Sequence, residues 1–181
     1  ILARSGVRVL AVEQPLDDRP ESVLLESLLE GLAEYYSRNL ACEVMKGMKE
    51  NAYQAKFNGG WVPLGYDVVN GRYVINEDEA KIVRLIFSMF LEGHSYGRIL
   101  ARLKELGYLT KRGRPFGKNS LYEILRNPKY AGDYVFNRAP RRIDGKRNWH
   151  RKKSPEEVIV IPEAVPAIIS KEEFAKVQEI M

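Results

Sequence analysis

The sequence predicts an α+β chain that is mainly helical: a long projecting helix, then a small helical domain with β-hairpins in winged-helix-like order. Three observations predict it. Apolar residues from Leu24 onward recur at three- and four-residue steps until Asn58-Gly59-Gly60. Between Trp61 and Ile75 the period shortens, and an Asn-Gly pair divides two apolar runs. Beyond Asn76, short capped amphipathic stretches lead into two strand-like runs.

Residues 7–12, after Gly6, read as a short buried strand, and Asp17, Asp18 and Pro20 punctuate the chain after it. A domain seldom begins so abruptly, and the chain is expected to open inside a domain whose earlier part is missing. The helix over residues 21–57 carries Leu24, Leu25, Leu28, Leu29, Leu32, Tyr35, Tyr36, Leu40, Val44, Met45 and Met48, with Pro20 suited to its first position. About 36 residues at ~1.5 Å each span roughly 54 Å, more than a small domain, so one end must project or pair. Its acidic, Leu-rich start over 21–36 reads as a packing or dimer face.

Residues 61–69 and 72–75 flank Asn70-Gly71, the residues a type I′ hairpin turn requires at its two positive-φ positions. Asn76 caps the next helix, with Glu79 completing a capping box; Ile82, Val83, Leu85, Ile86, Met89 and Phe90 form its buried stripe, and Gly93 ends it. Ser95 opens another helix, whose Ile99, Leu100, Leu103 and Leu106 face inward before Gly107 stops it. An extended link over 108–116 precedes a short helix over 118–126, with Gly117 as N-cap and Leu121, Ile124 and Leu125 inward; Asn127-Pro128 terminates it. Residues 130–137 and 158–161 read as strands joined by a basic loop, and Ser170 with Glu173 boxes a final helix from Lys171. Tyr130, Tyr134 and Phe136 share strand parity and are expected to face the core together.

Composition narrows the function. The 181 residues are 45% hydrophobic and 29% charged, which suits a globular chain rather than a disordered one. No apolar run reaches the ~18 residues of a membrane span, and residues 1–10 lack a signal peptide's apolar core. The cytoplasm is the expected compartment, with no membrane partner. Cys42 is the single cysteine, so neither an internal disulfide nor a Cys-rich zinc cluster can form within the chain; mid-helix, it reads as a buried structural thiol. Net charge is +5, yet residues 111–153 alone hold 14 basic and 3 acidic side chains, a balance of +11. A solvated face normally mixes signs. Such segregation points to a polyanion, nucleic acid before an anionic membrane.

Two helices, a basic link, a short helix and two strands suit helix-turn-helix or winged-helix docking. The short helix would turn Lys118, Asn119, Tyr122, Glu123 and Arg126 toward a major groove, where Asn119 could read adenine and Arg126 guanine or a phosphate. Lys111-Arg112-Gly113-Arg114 is suited to a minor-groove arm, since arginine seeks negative potential there and glycine lets the backbone come close. Lys56, Lys129, Arg138, Arg141 and Arg142 complete the candidate contacts to double-stranded DNA. No catalytic chemistry is legible. His94 and His150 lie far apart without metal-ligand spacing, no phosphate-binding loop is present, and Asp17, Asp18, Glu77, Asp78 and Glu79 read as acids at helix starts. No catalytic residue, metal or cofactor is expected in this chain.

The order of these motifs resembles the large serine recombinases, the group that includes phage serine integrases and resolvase-type transposon recombinases. Gly6-Val7-Arg8-Val9 is similar to the last strand of their catalytic domain. The run from Leu32 to Leu40 resembles the long helix that leaves it, although Tyr36-Ser37 stands where many relatives carry Glu-Arg. Gly47-Met48, Gly59-Gly60 and Pro63-Leu64-Gly65-Tyr66 resemble the passage into the recombinase domain. Tyr122 to Gly132 is similar to that domain's most recognisable run, and Ala167-Ile168-Ile169-Ser170 with Phe174 resembles its exit.

The resemblance implies a layout: 1–20 the end of the catalytic domain, 21–58 the connecting helix, 59–162 the DNA-binding recombinase domain, and 163–181 the start of a zinc-ribbon module. It implies a parent enzyme that integrates, excises or inverts DNA through a 5′-phosphoserine intermediate, as a homodimer or homotetramer. Its nucleophile and any zinc ligands would lie outside this chain, which would bind a duplex half-site without cleaving it. Two other readings stay open: a non-catalytic winged-helix-like transcriptional regulator dimerising through the long helix, and a basic RNA-binding protein.

Overall fold

The computed structural model describes residues 20–139, 142–143, 146–147 and 153–181. The strand expected over 7–12, Asp17, Asp18, Arg141 and His150 lie outside the described residues, as does the side chain of Arg142. The chain divides into two compact units, Ile1–Gly47 and Met48–Met181.

The described part of the first unit is helical. Helix α1 runs Pro20–Tyr53, and the division falls within it, after Gly47. Its apolar stripe is uncovered: Leu24 is 75% exposed, Leu28 58% and Leu40 65%. Ion pairs one turn apart, Glu34–Arg38 at 2.5 Å and Glu43–Lys46 at 2.6 Å, brace the surface. Cys42, expected to be buried, is exposed. The three–four period marks which positions are apolar, and nothing described in this unit covers them.

The helix stops at Tyr53, short of the glycines expected to end it. Ala55 takes the left-handed conformation (φ 51°), Lys56 N–H bonds Asn51 O at 2.8 Å and Ala55 N–H bonds Ala52 O at 2.9 Å. This is a Schellman stop built on a non-glycine residue.

In the second unit, β1 (Tyr66–Val69) and β2 (Arg72–Ile75) pair antiparallel, Tyr66 opposite Ile75 and Val69 opposite Arg72. Asn70 and Gly71 sit at φ 52° and 74°, as the type I′ turn requires. Residues 61–65 do not extend β1 as expected. Gly65 turns the chain at φ 89°, where a Cβ would lie 2.7 Å from Ile168 Cδ1.

Four helices, α2 (Glu77–Leu91), α3 (Tyr96–Glu105), α4 (Lys118–Leu125) and α5 (Lys171–Ile180), share one core with this hairpin. Tyr66, Phe87, Ile99, Leu103, Leu121, Leu125, Tyr130 and Val177 are fully buried in it. Leu85 and Phe90 flank the core half-buried. Leu106, expected inward, is 41% exposed because it is the C-cap of α3, where the backbone leaves the helical face. Residues 163–181, expected to open a zinc-ribbon module, contribute Val165, Ile168, Ile169 and Val177 to this same core.

The Asn76 cap forms, its side-chain oxygen accepting Glu79 N–H at 3.3 Å, but the box does not close. Asn76 N–H donates to Gly65 O instead, leaving the Glu79 carboxylate to accept Gly65 N–H at 2.9 Å. The Ser170–Glu173 box closes in both directions, at 3.1 and 3.2 Å.

The strand expected over 130–137 begins later. Asn127 accepts Lys129 N–H, Pro128 starts a 3₁₀ turn through Ala131, and Gly132 exits it at φ 94°. Strand β3 is Tyr134–Phe136 and pairs with β6 (Ile159–Ile161), Tyr134 opposite Ile161; β4 (Arg142–Ile143) and β5 (Lys146–Arg147) form a small hairpin between them in sequence. Tyr130 and Tyr134 are buried as expected, though Tyr130 reaches the core from the turn rather than by strand parity. Helices followed by this strand pair give the winged-helix-like order. No described helix is long and apolar enough to cross a membrane.

Candidate nucleic-acid interface

Helix α4 shows the expected faces. Leu121, Ile124 and Leu125 are buried, which leaves Lys118, Asn119, Tyr122, Glu123 and Arg126 exposed. The Gly117 N-cap has no side chain to cap with, and its N–H bonds Ser120 Oγ at 3.4 Å. Arg126 folds back one turn, donating to the Tyr122 hydroxyl with its guanidinium 5.1 Å from the ring centroid.

The basic arm is closed on itself. Thr110 N–H bonds Arg114 O at 2.8 Å and Gly113 N–H bonds Thr110 O at 2.7 Å. Its four residues split into different roles. Lys111 is tied down: its ammonium donates to Asp67 at 2.9 Å, to Glu79 at 2.9 Å and to the Tyr66 carbonyl. All three of its hydrogens are engaged within the protein. Burial lowers the Lys111 pKa, but hydrogen bonds to Glu79 and Asp67 outweigh it and leave the pKa raised. The Lys111 hydrogen bond, with that of the Asn76 amide at 2.8 Å, holds the Asp67 carboxyl below its ordinary value. The arm's available charge is therefore that of Arg112 and Arg114. Arg112 lies over the exposed Trp61 ring, 3.7 Å from its centroid.

Lys129 is half-buried, its ammonium 5.3 Å from the Tyr73 ring and 5.5 Å from that of Tyr134. Burial, then the charge of Arg138, pushes its pKa below the ordinary lysine value. Burial pushes the Tyr73 hydroxyl up to about 12. Beside Lys129 opens a cleft of about 440 Å³, whose lining includes Trp61, Glu123, Arg126, Asn127, Lys129 and Arg138. Lys56 is half-buried, and its carbonyl accepts the Tyr134 hydroxyl at 2.8 Å.

The structure thus brings Arg126, Lys129 and Arg138 to one cleft, sets Arg112 against its rim through Trp61, and diverts Lys111 inward. Sequence reasoning missed Trp61, Tyr73 and Tyr134 as partners of these cations, and Asp67 and Glu79 as the acceptors of Lys111. Trp61 beside Gly59-Gly60 was the one local signal; the pairings themselves span tens of residues.

A cationic cleft on a winged-helix-like unit places the molecule in a structural class, and comparison places it in a family. The Recombinase family matches residues 77–181, more than half of the chain, and the chain belongs to that family. A Bacillus subtilis (strain 168) protein described as "Putative DNA recombinase" is 23% identical over 199 residues, covering 99% of this chain and 38% of that protein. Two solved structures are similar in fold. "Crystal Structure of a LSR-DNA Complex" has TM-score 0.56 and 26% identity, over 76% of this chain and 37% of that one. "Sequence Requirements of the Listeria innocua prophage attP site" has TM-score 0.55 and 26% identity, over 76% of this chain and 50% of that one. The chain spans between about a third and a half of the length of these relatives.

Proposed function

We propose that this chain is the DNA-binding portion of a site-specific serine recombinase, which integrates, excises or inverts DNA through a 5′-phosphoserine intermediate. One observation carries the reading. Of the seven described cations between Lys111 and Arg138, only Lys111 has a carboxylate of a described residue within ion-pair distance. Arg112, Arg126 and Lys129 lie on aromatic rings, which hold a cation in place without neutralising it. The solved relative described as a DNA complex supports the same reading.

On this reading α4 enters the major groove, Lys118 meets a phosphate, and Asn119 and Arg126 meet base edges or phosphates. Arg112 and Arg114 supply the minor-groove arm, and Lys129 and Arg138 hold the backbone. The chain contributes positioning and electrostatics; no residue in it is assigned the role of nucleophile, and no cofactor is assigned. Its ester intermediate would conserve the phosphodiester's free energy, so the parent reaction would need no nucleotide. The parent would act on DNA in the cytoplasm as a homodimer or homotetramer, and the uncovered Leu-rich stripe of α1 supports pairing of chains.

Equilibrium binding to a duplex half-site across a salt series tests the reading. With about six phosphates neutralised, log K should fall against log salt with a slope near −5. Affinity indifferent to salt, or stronger competition by RNA than by duplex DNA, refutes it.

A further inference from the structure

The cleft beside Lys129 has the makings of a site for one anionic group. Lys129 is half-buried, and among the described residues no carboxylate lies within 4 Å of its ammonium. Two tyrosine faces surround it instead, at 5.3 and 5.5 Å. They partly offset its lost hydration but accept none of its three hydrogens in the manner of an oxygen. Arg126 lends only part of its guanidinium to the Tyr122 hydroxyl, and Arg138 is exposed on the same lining. Asn127 uses its side-chain oxygen on Lys129 N–H at 3.2 Å, and its amide N–H₂ has no acceptor among the described residues. Lys129, Arg126, Arg138 and Asn127 thus line one space, and their side chains are the donor types that hold a tetrahedral oxyanion. Glu123 is the sole carboxylate among the described residues of that lining, and it disfavours a second negative charge.

We propose that this cleft binds a single phosphodiester of the docked duplex, with Lys129 as the central donor and Arg126 and Arg138 beside it. The proposal rests on the duplex-binding reading and adds to it a particular phosphate and the groups that hold it. Burial of the Lys129 ammonium, which lowers its pKa in the free protein, agrees with a site completed by an anion.

The test uses the full 181-residue chain, a salt series, and duplexes carrying one uncharged methylphosphonate at successive positions. Lys129→Gln is expected to weaken duplex binding about tenfold and to reduce the salt slope by about 0.9, one phosphate's share. At one backbone position, methylphosphonate should weaken the wild type while costing Lys129→Gln nothing more. Arg138→Gln, at an exposed side chain that cannot compromise folding, should show the same position-specific coupling, and Lys129→Arg should restore most of the affinity. Dimethyl phosphate should bind the free chain better than inorganic phosphate at equal ionic strength. A steep wild-type slope that neither variant changes, with no coupled backbone position, overturns the cleft proposal and leaves duplex binding standing. A flat wild-type slope sinks duplex binding itself. Binding of inorganic phosphate alone, with the duplex slope unmoved, assigns the cleft to a free anion and overturns the proposal as stated.

Discussion

Residues 20–105 and 111–138 use the same cationic side chains in different ways. In the first stretch, Arg38, Lys46, Lys81, Arg84 and Arg102 each meet a carboxylate, half of its ten cations. In the second, only Lys111 does among the described residues. The exposed pairs of the first stretch contribute little to stability, of order 0.2–1 kcal/mol each, but each cancels its own field at a distance. A cation seated on a ring keeps its net charge while its side chain is held in one geometry. On the proposed duplex-binding reading, the difference separates a surface that is merely solvated from one pre-set for a polyanion, and placement rather than the number of basic residues distinguishes them.

Arg126→Ala should give the largest separation between the two groups. We expect it to weaken duplex binding by about 1–3 kcal/mol. A loss concentrated at one base pair makes Arg126 a base reader, and an equal loss on every sequence makes it a phosphate contact. Arg84→Ala, which removes a cation already 3.0 Å from Glu77, should change affinity by less than about 0.5 kcal/mol. Equal losses for the two variants would erase the distinction between paired and ring-borne cations. The measurement is a fluorescence titration of a duplex half-site panel with each purified variant.

Lys111 is the exception within the basic stretch, and Lys111→Gln should behave accordingly. Its loss leaves the Tyr66 carbonyl without its side-chain donor and the Glu79 carboxylate, 22% exposed, with the Gly65 N–H but no cation. We expect about 1–2 kcal/mol of lost stability in urea unfolding. Arg114→Gln should cost under about 0.5 kcal/mol. Duplex binding should show the reverse order, with the salt slope unmoved by Lys111→Gln and reduced by Arg114→Gln. A reduced slope for Lys111→Gln would return that lysine to the phosphate contacts.

The sequence made local structure legible and left partners across the chain hidden. Asn70-Gly71, Ser95, Gly117 and Ser170 mark their turns and caps because the conformation each requires is a property of one or two residues. The exposed face of α4 was legible for the same reason: three buried positions on a short helix determine the rest. The start of β3 was not, because Asn127-Pro128 both ends α4 and begins a 3₁₀ turn. The engagement of Lys111 was not legible because its acceptors, Asp67 and Glu79, lie 44 and 32 residues away, and no local pattern announces them. The Trp61–Arg112 stack was hidden in the same way. Charge counting finds the basic stretch; only the fold tells which of its charges is already engaged.

The smallest expected effect is a pH dependence confined to the paired side of the comparison. The Lys111 hydrogen bond, then that of Asn76, holds the Asp67 carboxyl below its ordinary value. A carboxyl lowered in the folded state contributes stability that is fully present above its unfolded pKa, near 3.9, and is lost as pH falls through the folded value. Lys111, raised on balance, contributes below its unfolded pKa of about 10.4 and loses that contribution as pH rises through the folded value. Asp67 is 53% exposed, so solvent screening keeps its share below about 1 kcal/mol. Urea unfolding of the wild type and Lys111→Gln at several pH values should therefore show a stability gap that is constant near neutrality and narrows below about pH 4. Trp61 carries no ionisable group, so the gap between wild type and Trp61→Ala should stay level. If the Lys111 gap is equally level down to pH 3, the ammonium acts there through packing rather than charge, and the contrast between paired and ring-borne cations loses its electrostatic basis.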